Sequence, residues 1–164
     1  MIVLDADIVS YFSRLGRLRL LLDLFVVPVA VSPNVQHELE QGLQAGYQGL
    51  EAALALIQSG AIKTLAMTDA AYAWLRRLGL PPDKGEADSL AYCLAHDAIF
   101  VTNDKRAHRR GSHLGARCMS LSSLLRLAWK RGILDPAEVR TLISEMETRL
   151  GIVVSDRDEI LAPD

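Results

Sequence analysis

Two acidic residues that could bind a metal ion together lie far apart in the sequence. Asp5 and Asp104 each follow an aliphatic run, residues 2–4 and 98–102, of the kind that forms a buried strand. The carboxyl ends of parallel strands meet at one edge of a sheet, so both carboxylates are expected there. Because hard oxygen ligands select Mg²⁺ or Mn²⁺ over softer ions, we predict that these two acids are principal ligands of such an ion.

Further acids occur near the starts of predicted helices. Ser32 is a strong N-cap signal and places Glu38 about a turn and a half inside the helix that follows. Glu86 opens another helix, over residues 85–96, and Asp88 follows it in the same turn. Glu38 alone would be interpreted as a solvated surface residue, and the helix dipole alone explains acids in a first turn. A cluster of such carboxylates is stable mainly when a cation neutralises it.

Strand and helix signals alternate along the chain. Strands are predicted at residues 2–4, 25–31, 62–65, 98–102 and 116–119. Helices are predicted at residues 8–15, from 32 to about 42–46, at 50–57, from 68, and at 85–96, 121–129 and 136–150. This alternation indicates the α/β class, with an open, mostly parallel sheet covered on both faces and ligands at the carboxyl ends of its strands.

Composition limits the organisation of the chain. The 164 residues are 50% apolar with a formal net charge of −2, which suits one compact domain at residues 1–155 and a polar C-terminal tail at 156–164. No apolar run approaches the roughly 18 residues of a membrane span, and no basic leader precedes Asp5. We therefore expect no membrane association and a cytoplasmic location.

Positive charge is concentrated after Asp104. Eight basic residues and no acid follow it as far as residue 131: Lys105, Arg106, Arg109, Arg110, Arg117, Arg126, Lys130 and Arg131. Phosphate contacts supply most sequence-independent affinity for nucleic acid, so this patch could hold a phosphate backbone beside the metal. The alternative is a solvated basic helix face.

Four short motifs carry a resemblance to a known family. They are the hydrophobic-Asp-x-Asp-hydrophobic start at Asp5, Val-x-x-Glu-Leu at Glu38, Gly-Glu-Ala at Glu86, and Val-Thr-Asn-Asp ending at Asp104. Together they resemble the PIN-domain nucleases, and most closely a prokaryotic subgroup related to VapC-type toxin ribonucleases. The resemblance runs over nearly the whole chain.

The resemblance implies a PIN-like three-layer α/β/α sandwich with a central, mostly parallel sheet of four to five strands. It implies that the four motif acids bind Mg²⁺ or Mn²⁺ for hydrolysis of phosphodiester bonds in single-stranded RNA. The family usually has Asp at the third place, where Glu86 stands 18 residues before Asp104, and Asp88 is its rival. The residues expected to contact the ligands or the RNA are Thr102, Asn103, Lys105, Arg106, Arg109 and Arg110.

Partners are also implied by the resemblance. The apolar C-terminal helices could pair two copies or accept an inhibitory peptide, as toxin relatives do with antitoxins. We therefore expect a homodimer and an antitoxin-type inhibitor, and the chain itself would be a toxin of such a pair.

Other functions remain open at this stage. The start at Asp5 and Asp7 also fits a haloacid-dehalogenase-type phosphatase, in which the first Asp attacks phosphate. The later motifs of that family are missing, because Lys105 and Arg106 follow Asp104. A receiver domain would need an Asp after residues 62–65, and none is there. A PIN-fold binding module with weak or no catalysis is the remaining alternative.

Overall fold

The computed structural model describes residues 1–79 and 84–163, which form five strands and ten helices. The strands are β1 (Ile2–Leu4), β2 (Val29–Val31), β3 (Lys63–Thr64), β4 (Ile99–Val101) and β5 (Arg117–Met119). The helices are α1 (Ala6–Arg14), α2 (Leu18–Leu24), α3 (Pro33–Gln44), α4 (Glu51–Gln58), α5 (Asp69–Leu78), α6 (Gly85–His96), α7 (Lys105–His113), α8 (Leu121–Lys130), α9 (Pro136–Leu150) and α10 (Arg157–Ile160).

The strands form one parallel sheet in the order β3-β2-β1-β4-β5. Ile2 in the central strand is in register with Val29 on one side and Ile99 on the other. All five strands start at the same edge of the sheet, because the helical segments between parallel strands carry the chain back to that edge. The predicted three-layer α/β/α sandwich is confirmed, and its sheet, which was predicted to be mostly parallel with four to five strands, has five parallel strands.

Alternate residues of each strand pack into different layers, because successive side chains point to opposite faces. Ile2 and Leu4 belong to a core that also contains Phe12 of α1 and residues of α8 and α9. Val3 and Phe100 belong to a second core on the other face, formed with α6 and α7. Both faces of the sheet are therefore buried, and its ligand sites must lie at its edges.

Polar caps fix where the functional helices begin. The Ser32 hydroxyl accepts a hydrogen bond from Val35 N at the start of α3, as predicted. Asp5 caps α1 directly after β1, and Asp104 caps α7 three residues after the end of β4. Each cap begins a helix close to the end of a strand, which keeps these side chains at the carboxyl edge of the sheet.

The second strand is shorter than predicted. Residues 25–31 were expected to be extended, but β2 covers only Val29–Val31, and Val26 is 96% exposed. Pro28 has no N–H to donate to a neighbouring strand, so the ladder can begin only after it. The preceding residues include helix α2, which the apolar spacing did not predict because nearly all of its positions are leucine.

The C-terminal segment is packed more closely than its polar composition suggests. Residues 156–163 were predicted to be a tail, yet they include α10, whose Ile160 is only 1% exposed. The Arg126 guanidinium donates hydrogen bonds to the carbonyls of Glu159, Ile160 and Ala162. A buried isoleucine and these charge-assisted bonds hold the segment against α8.

Across residues 1–79 and 84–163, no helix is both long enough and apolar enough to cross a membrane.

Candidate metal centre

Asp5 is the most buried of the four motif acids, with 8% of its surface exposed. Its Oδ1 accepts a hydrogen bond from Ala6 N at 2.9 Å, and its Oδ2 accepts one from the Thr102 hydroxyl at 2.6 Å. Burial raises the pKa of Asp5 to about 6, the Thr102 bond opposes that rise, and the negative charge of Asp7 adds to it. A buried carboxylate surrounded by like charge is a site that a cation would stabilise.

Glu38 reaches the site from α3. Its Oε1 accepts a hydrogen bond from Gly85 N, 2.8 Å away, at the start of α6. A Cβ at residue 85 would lie 2.4 Å from Val35 Cγ2 and 3.1 Å from Glu38 Oε1, so only glycine permits this approach. The charge of Glu38 contributes to the raised pKa of Asp5. The two acids are therefore electrostatic neighbours, although 33 positions separate 5 from 38 in the sequence.

Glu86 and Asp104, which are 18 positions apart in the sequence, form a second pair of interacting acids. Burial raises the pKa of Glu86, the charge of Asp104 raises it further, and the Arg110 guanidinium lowers it. Asp104 Oδ1 accepts hydrogen bonds from Arg106 N at 2.6 Å and Ala107 N at 3.1 Å. One oxygen of Asp104 is thus used to cap α7, and no described donor is bonded to the other.

Asp7 links the two pairs. Burial is the main cause of the raised pKa of Asp7, and the negative charges of Asp104 and Glu38 raise it further. The sequence placed Asp7 only at the margin of the site, because it lies inside the first turn of α1 and not after a strand. The structure gives it electrostatic contact with three of the four motif acids: Asp5, Glu38 and Asp104.

Asp88, the rival of Glu86, has a different environment. It is 5% exposed, and its Oδ2 accepts a hydrogen bond from Asn34 Nδ2 at 2.7 Å. Burial raises its pKa, the Asn34 bond lowers it, and among the described acids Glu38 contributes to the rise. Asp88 therefore ties α6 to α3, whereas Glu86 is the acid of this turn that interacts with Asp104.

The acids converge without forming a ready-made cage. Among the residues that the structure describes, no three His, Cys, Asp or Glu side chains are grouped so that they could hold a metal ion. Two of these carboxylates already accept hydrogen bonds from backbone amides. Glu38 accepts one from Gly85 N, and Asp104 accepts one from Arg106 N in the first turn of α7. The chemistry of the set nevertheless fits Mg²⁺ or Mn²⁺, because every donor is a hard carboxylate oxygen and the charges repel one another.

Thr102 and Asn103 support the site from within. Thr102 is 1% exposed, and its hydroxyl donates to Asp5 while it accepts a bond from Asp104 N at 3.1 Å. Asn103 lies near the phenol of Tyr11 and lowers its pKa. Sequence reasoning missed Tyr11, and the available signal was its position four residues after Asp7, on the same face of α1. Burial, followed by the charge of Asp7, raises the pKa of Tyr11.

The basic segment divides into two parts. Lys105, Arg106, Arg109 and Arg110 are exposed on α7, and Arg110 NH1 lies 3.8 Å from Glu86 Oε1. The later basic residues make contacts elsewhere in the fold: Arg117 with Asp97, Arg126 with the C-terminal carbonyls, Lys130 with the Trp129 ring, and Arg131 with the Leu24 carbonyl. Within this basic segment, the described cations next to the carboxylates are those of α7, and Lys84 outside the segment also lowers the pKa of Glu86.

Comparison with known proteins identifies the family. A family model described as a PIN domain matches residues 1–159. The chain is also similar to the structure of VapBC-1 from nontypeable Haemophilus influenzae, with 15% identity over 73% of this chain and 98% of the other, and a TM-score of 0.55. VapBC2 from Rickettsia felis, solved bound to a DNA fragment from its promoter, gives 18% identity, the same coverage and a TM-score of 0.51. No curated protein matches. At these identities, the two structures show a shared fold.

Proposed function

The chain belongs to the PIN-domain family, and from this premise we propose that it is a Mg²⁺- or Mn²⁺-dependent endoribonuclease that cleaves single-stranded RNA. The observation that supports this proposal is the electrostatic convergence of acids from four segments at the carboxyl edge of the sheet. The charge of Glu38 raises the pKa of both Asp5 and Glu86, and that of Asp104 also raises the pKa of Glu86. This is the edge at which α/β proteins place their active sites.

In the proposed reaction, a divalent ion would be held by Asp5, Glu38, Glu86 and Asp104. When bound, it would supply positive charge to a phosphodiester and activate water for attack on phosphorus. Asp5 and Asp104 follow the two central strands and are fixed by hydrogen bonds, which suits principal ligands. Glu86 is longer by one methylene and half-exposed, so it can act as a ligand directly or through water.

Other residues of the chain would position these acids. The Thr102 hydroxyl restricts rotation of the Asp5 carboxylate, and the Gly85 amide sets the direction of Glu38. The phenol of Tyr11 lies near Asn103 and Asp7 and would add a polar group on the α1 side of the site. Precise placement of this kind contributes to catalysis because misplaced ligands lose transition-state stabilisation.

RNA would be held by the α7 cations. Lys105, Arg106 and Arg109 are exposed and form no ion pair with the described residues. Their charges can contact backbone phosphates on one side of the cleaved bond, which gives affinity without base specificity. The structure offers no broad aromatic platform here, so contacts with phosphate carry this part of the proposal.

A catalytically weak binding module is the second candidate, and one contact favours it. Arg110 lies 3.8 Å from Glu86 and can neutralise that acid in place of a metal ion. If Arg110 competes with the ion, Arg110→Ala should tighten Mn²⁺ binding measured by calorimetry, whereas Arg109→Ala should leave it unchanged. A module without a metal site would bind no Mn²⁺ in either variant.

We extend the proposal to an antitoxin-type partner and a homodimer. Support comes from the similarity of the fold to two VapBC complexes and from a cavity of about 440 Å³ between α2 and α9. Leu20 of α2 and Leu142 of α9 both line this cavity and make part of its surface apolar. Sedimentation of the purified chain would test the dimer directly.

The central test is cleavage of a labelled single-stranded RNA with and without Mn²⁺. Wild-type protein should cut only with the metal, and Asp5→Asn or Asp104→Asn should abolish cutting while circular dichroism shows an intact fold. Asp69→Asn is the matched control, because Asp69 is an exposed acid on α5, outside the site. Undiminished cleavage by the Asp5 and Asp104 variants would remove the assignment.

A further inference from the structure

A cavity of about 250 Å³ lies next to the carboxylate cluster. Its walls are the first two turns of α7, the start of α8, and the segment that precedes α10. Asp104 is the one motif acid that lines it. The volume is slightly below the ~300–1,000 Å³ that small-molecule pockets usually have, so it suits one nucleotide and excludes a duplex.

One wall of the cavity, formed by α7, carries two cations. They are Lys105 and Arg109, and the neutral or charged ring of His108 lies on the same wall. Within residues 1–79 and 84–163, neither Lys105 nor Arg109 forms an ion pair or a side-chain hydrogen bond. Their charge is therefore available to an anionic group of a ligand, and a phosphate is the anion that this arrangement suits.

A second side of the cavity, formed by the segment before α10, carries a carboxylate. Asp156 lines the cavity and is exposed, and its side chain makes no cap hydrogen bond with α10 and no ion pair with any described residue. The segment that presents it is held at both ends, because Ser122 Oγ donates to the Ser155 carbonyl at 3.0 Å and Arg126 donates to the carbonyls of Glu159 and Ile160 in α10. Both carboxylate oxygens of Asp156 can therefore accept hydrogen bonds from a ligand, and the neighbouring backbone is held by hydrogen bonds.

The two walls together define the ligand. It must be anionic at one end and carry hydrogen-bond donors at the other, since an ionised carboxylate only accepts. Among the four RNA bases, guanine alone presents two adjacent donors, N1–H and the N2 amino group, on one edge. A carboxylate can pair with both at once, as it does with the fork of an arginine.

We propose that this cavity binds one nucleotide of the RNA strand beside the cleaved bond, and that Asp156 selects guanine there. The inference rests on the proposed ribonuclease function for its substrate class. The phosphate lies toward Lys105 and Arg109, and the base edge faces Asp156. The C-terminal segment is therefore a specificity element of the site.

The test uses the full chain without added metal, titrated with GMP, IMP, AMP and UMP and followed by backbone amide NMR. Wild-type protein should bind GMP roughly tenfold more tightly than AMP, as one good bidentate contact to a base provides. IMP, which lacks the N2 amino group, should fall between them. The largest shifts should lie in residues 102–109, 120–122 and 155–156.

The key variant is Asp156→Asn. Asp156 has a φ of 62°, a left-handed conformation that asparagine tolerates well, so this change keeps the backbone while it replaces one acceptor by a donor. It should reduce GMP affinity to the level of AMP. Asp158→Asn, which removes the same charge from an exposed position in α10, should leave the preference for GMP intact. Lys105→Ala should weaken all four nucleotides equally.

Equal affinity of wild-type protein for GMP and AMP, or an unchanged preference in Asp156→Asn, would overturn this inference. The cleavage assay separates it from the proposed function. If the chain cleaves RNA with Mn²⁺ but shows no preference for GMP, the guanine-site inference is wrong and the nuclease proposal stands. Asp156-dependent binding of GMP by a chain that cuts no RNA would support the guanine site and remove the nuclease.

Discussion

The Thr102 hydroxyl donates a 2.6 Å hydrogen bond to Oδ2 of Asp5, which lies 97 positions earlier in the sequence. Both residues directly follow central strands, β1 and β4, whose last residues Leu4 and Val101 are in register. The same hydroxyl accepts a bond from Asp104 N. One side chain therefore connects the two acids on which the proposed chemistry most depends.

Replacing Thr102 by valine should disturb Asp5 with little change in shape. Because the hydroxyl lowers the pKa of Asp5, its loss should move that pKa above the present value of about 6. Leaving buried polar groups without a partner should also reduce the free energy of unfolding by about 1–3 kcal/mol. Carbon-13 NMR of the carboxyl group and urea denaturation measure the two effects. Thr102→Ser keeps the hydroxyl, and a similar pKa rise in that variant would contradict the prediction.

Stability should fall as the pH rises from about 4 to about 7. Burial raises the pKa of Asp5 from 3.8 to about 6, so the folded chain holds the proton more tightly than the unfolded chain. The resulting stabilisation is fully present below pH 3.8 and is lost as the pH passes 6, with a magnitude of roughly 3 kcal/mol. Urea denaturation in EDTA at pH 4 and pH 8 should show this fall in wild type and a smaller one in Asp5→Asn. Parallel losses in the two proteins would contradict it, and Asp158→Asn is the control.

The third acid of the site can be identified by metal-dependent stabilisation. Binding of Mn²⁺ at a hundredfold excess over its Kd should raise the free energy of unfolding of wild type by about 2.7 kcal/mol. Glu86→Gln should lose much of this gain, since Glu86 interacts with Asp104. Asp88→Asn should keep the gain, because the Asp88 carboxylate is already bonded to Asn34. Thermal melts with and without Mn²⁺ measure the difference, and the opposite ranking of the two variants would assign the role to Asp88.

Gly85→Ala should separate α6 from α3. The new Cβ would lie 2.4 Å from Val35 Cγ2 and 3.0 Å from Val35 N, so one helix must move. Overpacking of this kind costs about 1–3 kcal/mol, and it should also lengthen the bond between Gly85 N and Glu38. Denaturation and Mn²⁺ titration check both effects. Val35→Ala removes the nearer clash but also costs stability by itself, because Val35 is fully buried. Gly85→Ala should therefore cost less in a Val35→Ala background than in wild type, and an equal cost in both backgrounds would refute the steric explanation.

Several features of the fold followed directly from local sequence. The aliphatic runs before Asp5 and Asp104 predicted β1 and β4, and Ser32 predicted the start of α3. These predictions succeeded because strand runs and N-caps depend on neighbouring residues. Helix α2 and the short β2 were not predicted, because a leucine-rich segment has no clear period and Pro28 limits pairing only once a neighbouring strand is present.

The sequence by itself determined that acids stand after strands and near helix starts, and that a basic segment follows Asp104. Only the tertiary structure decided how they interact. It put Asp88 in a hydrogen bond with Asn34 and Glu86 beside Asp104, and it brought Asp156 to the cavity beside α7. The physical reason is that electrostatic and hydrogen-bond partners depend on distance in space, which the parallel sheet sets by aligning segments that are far apart in the chain.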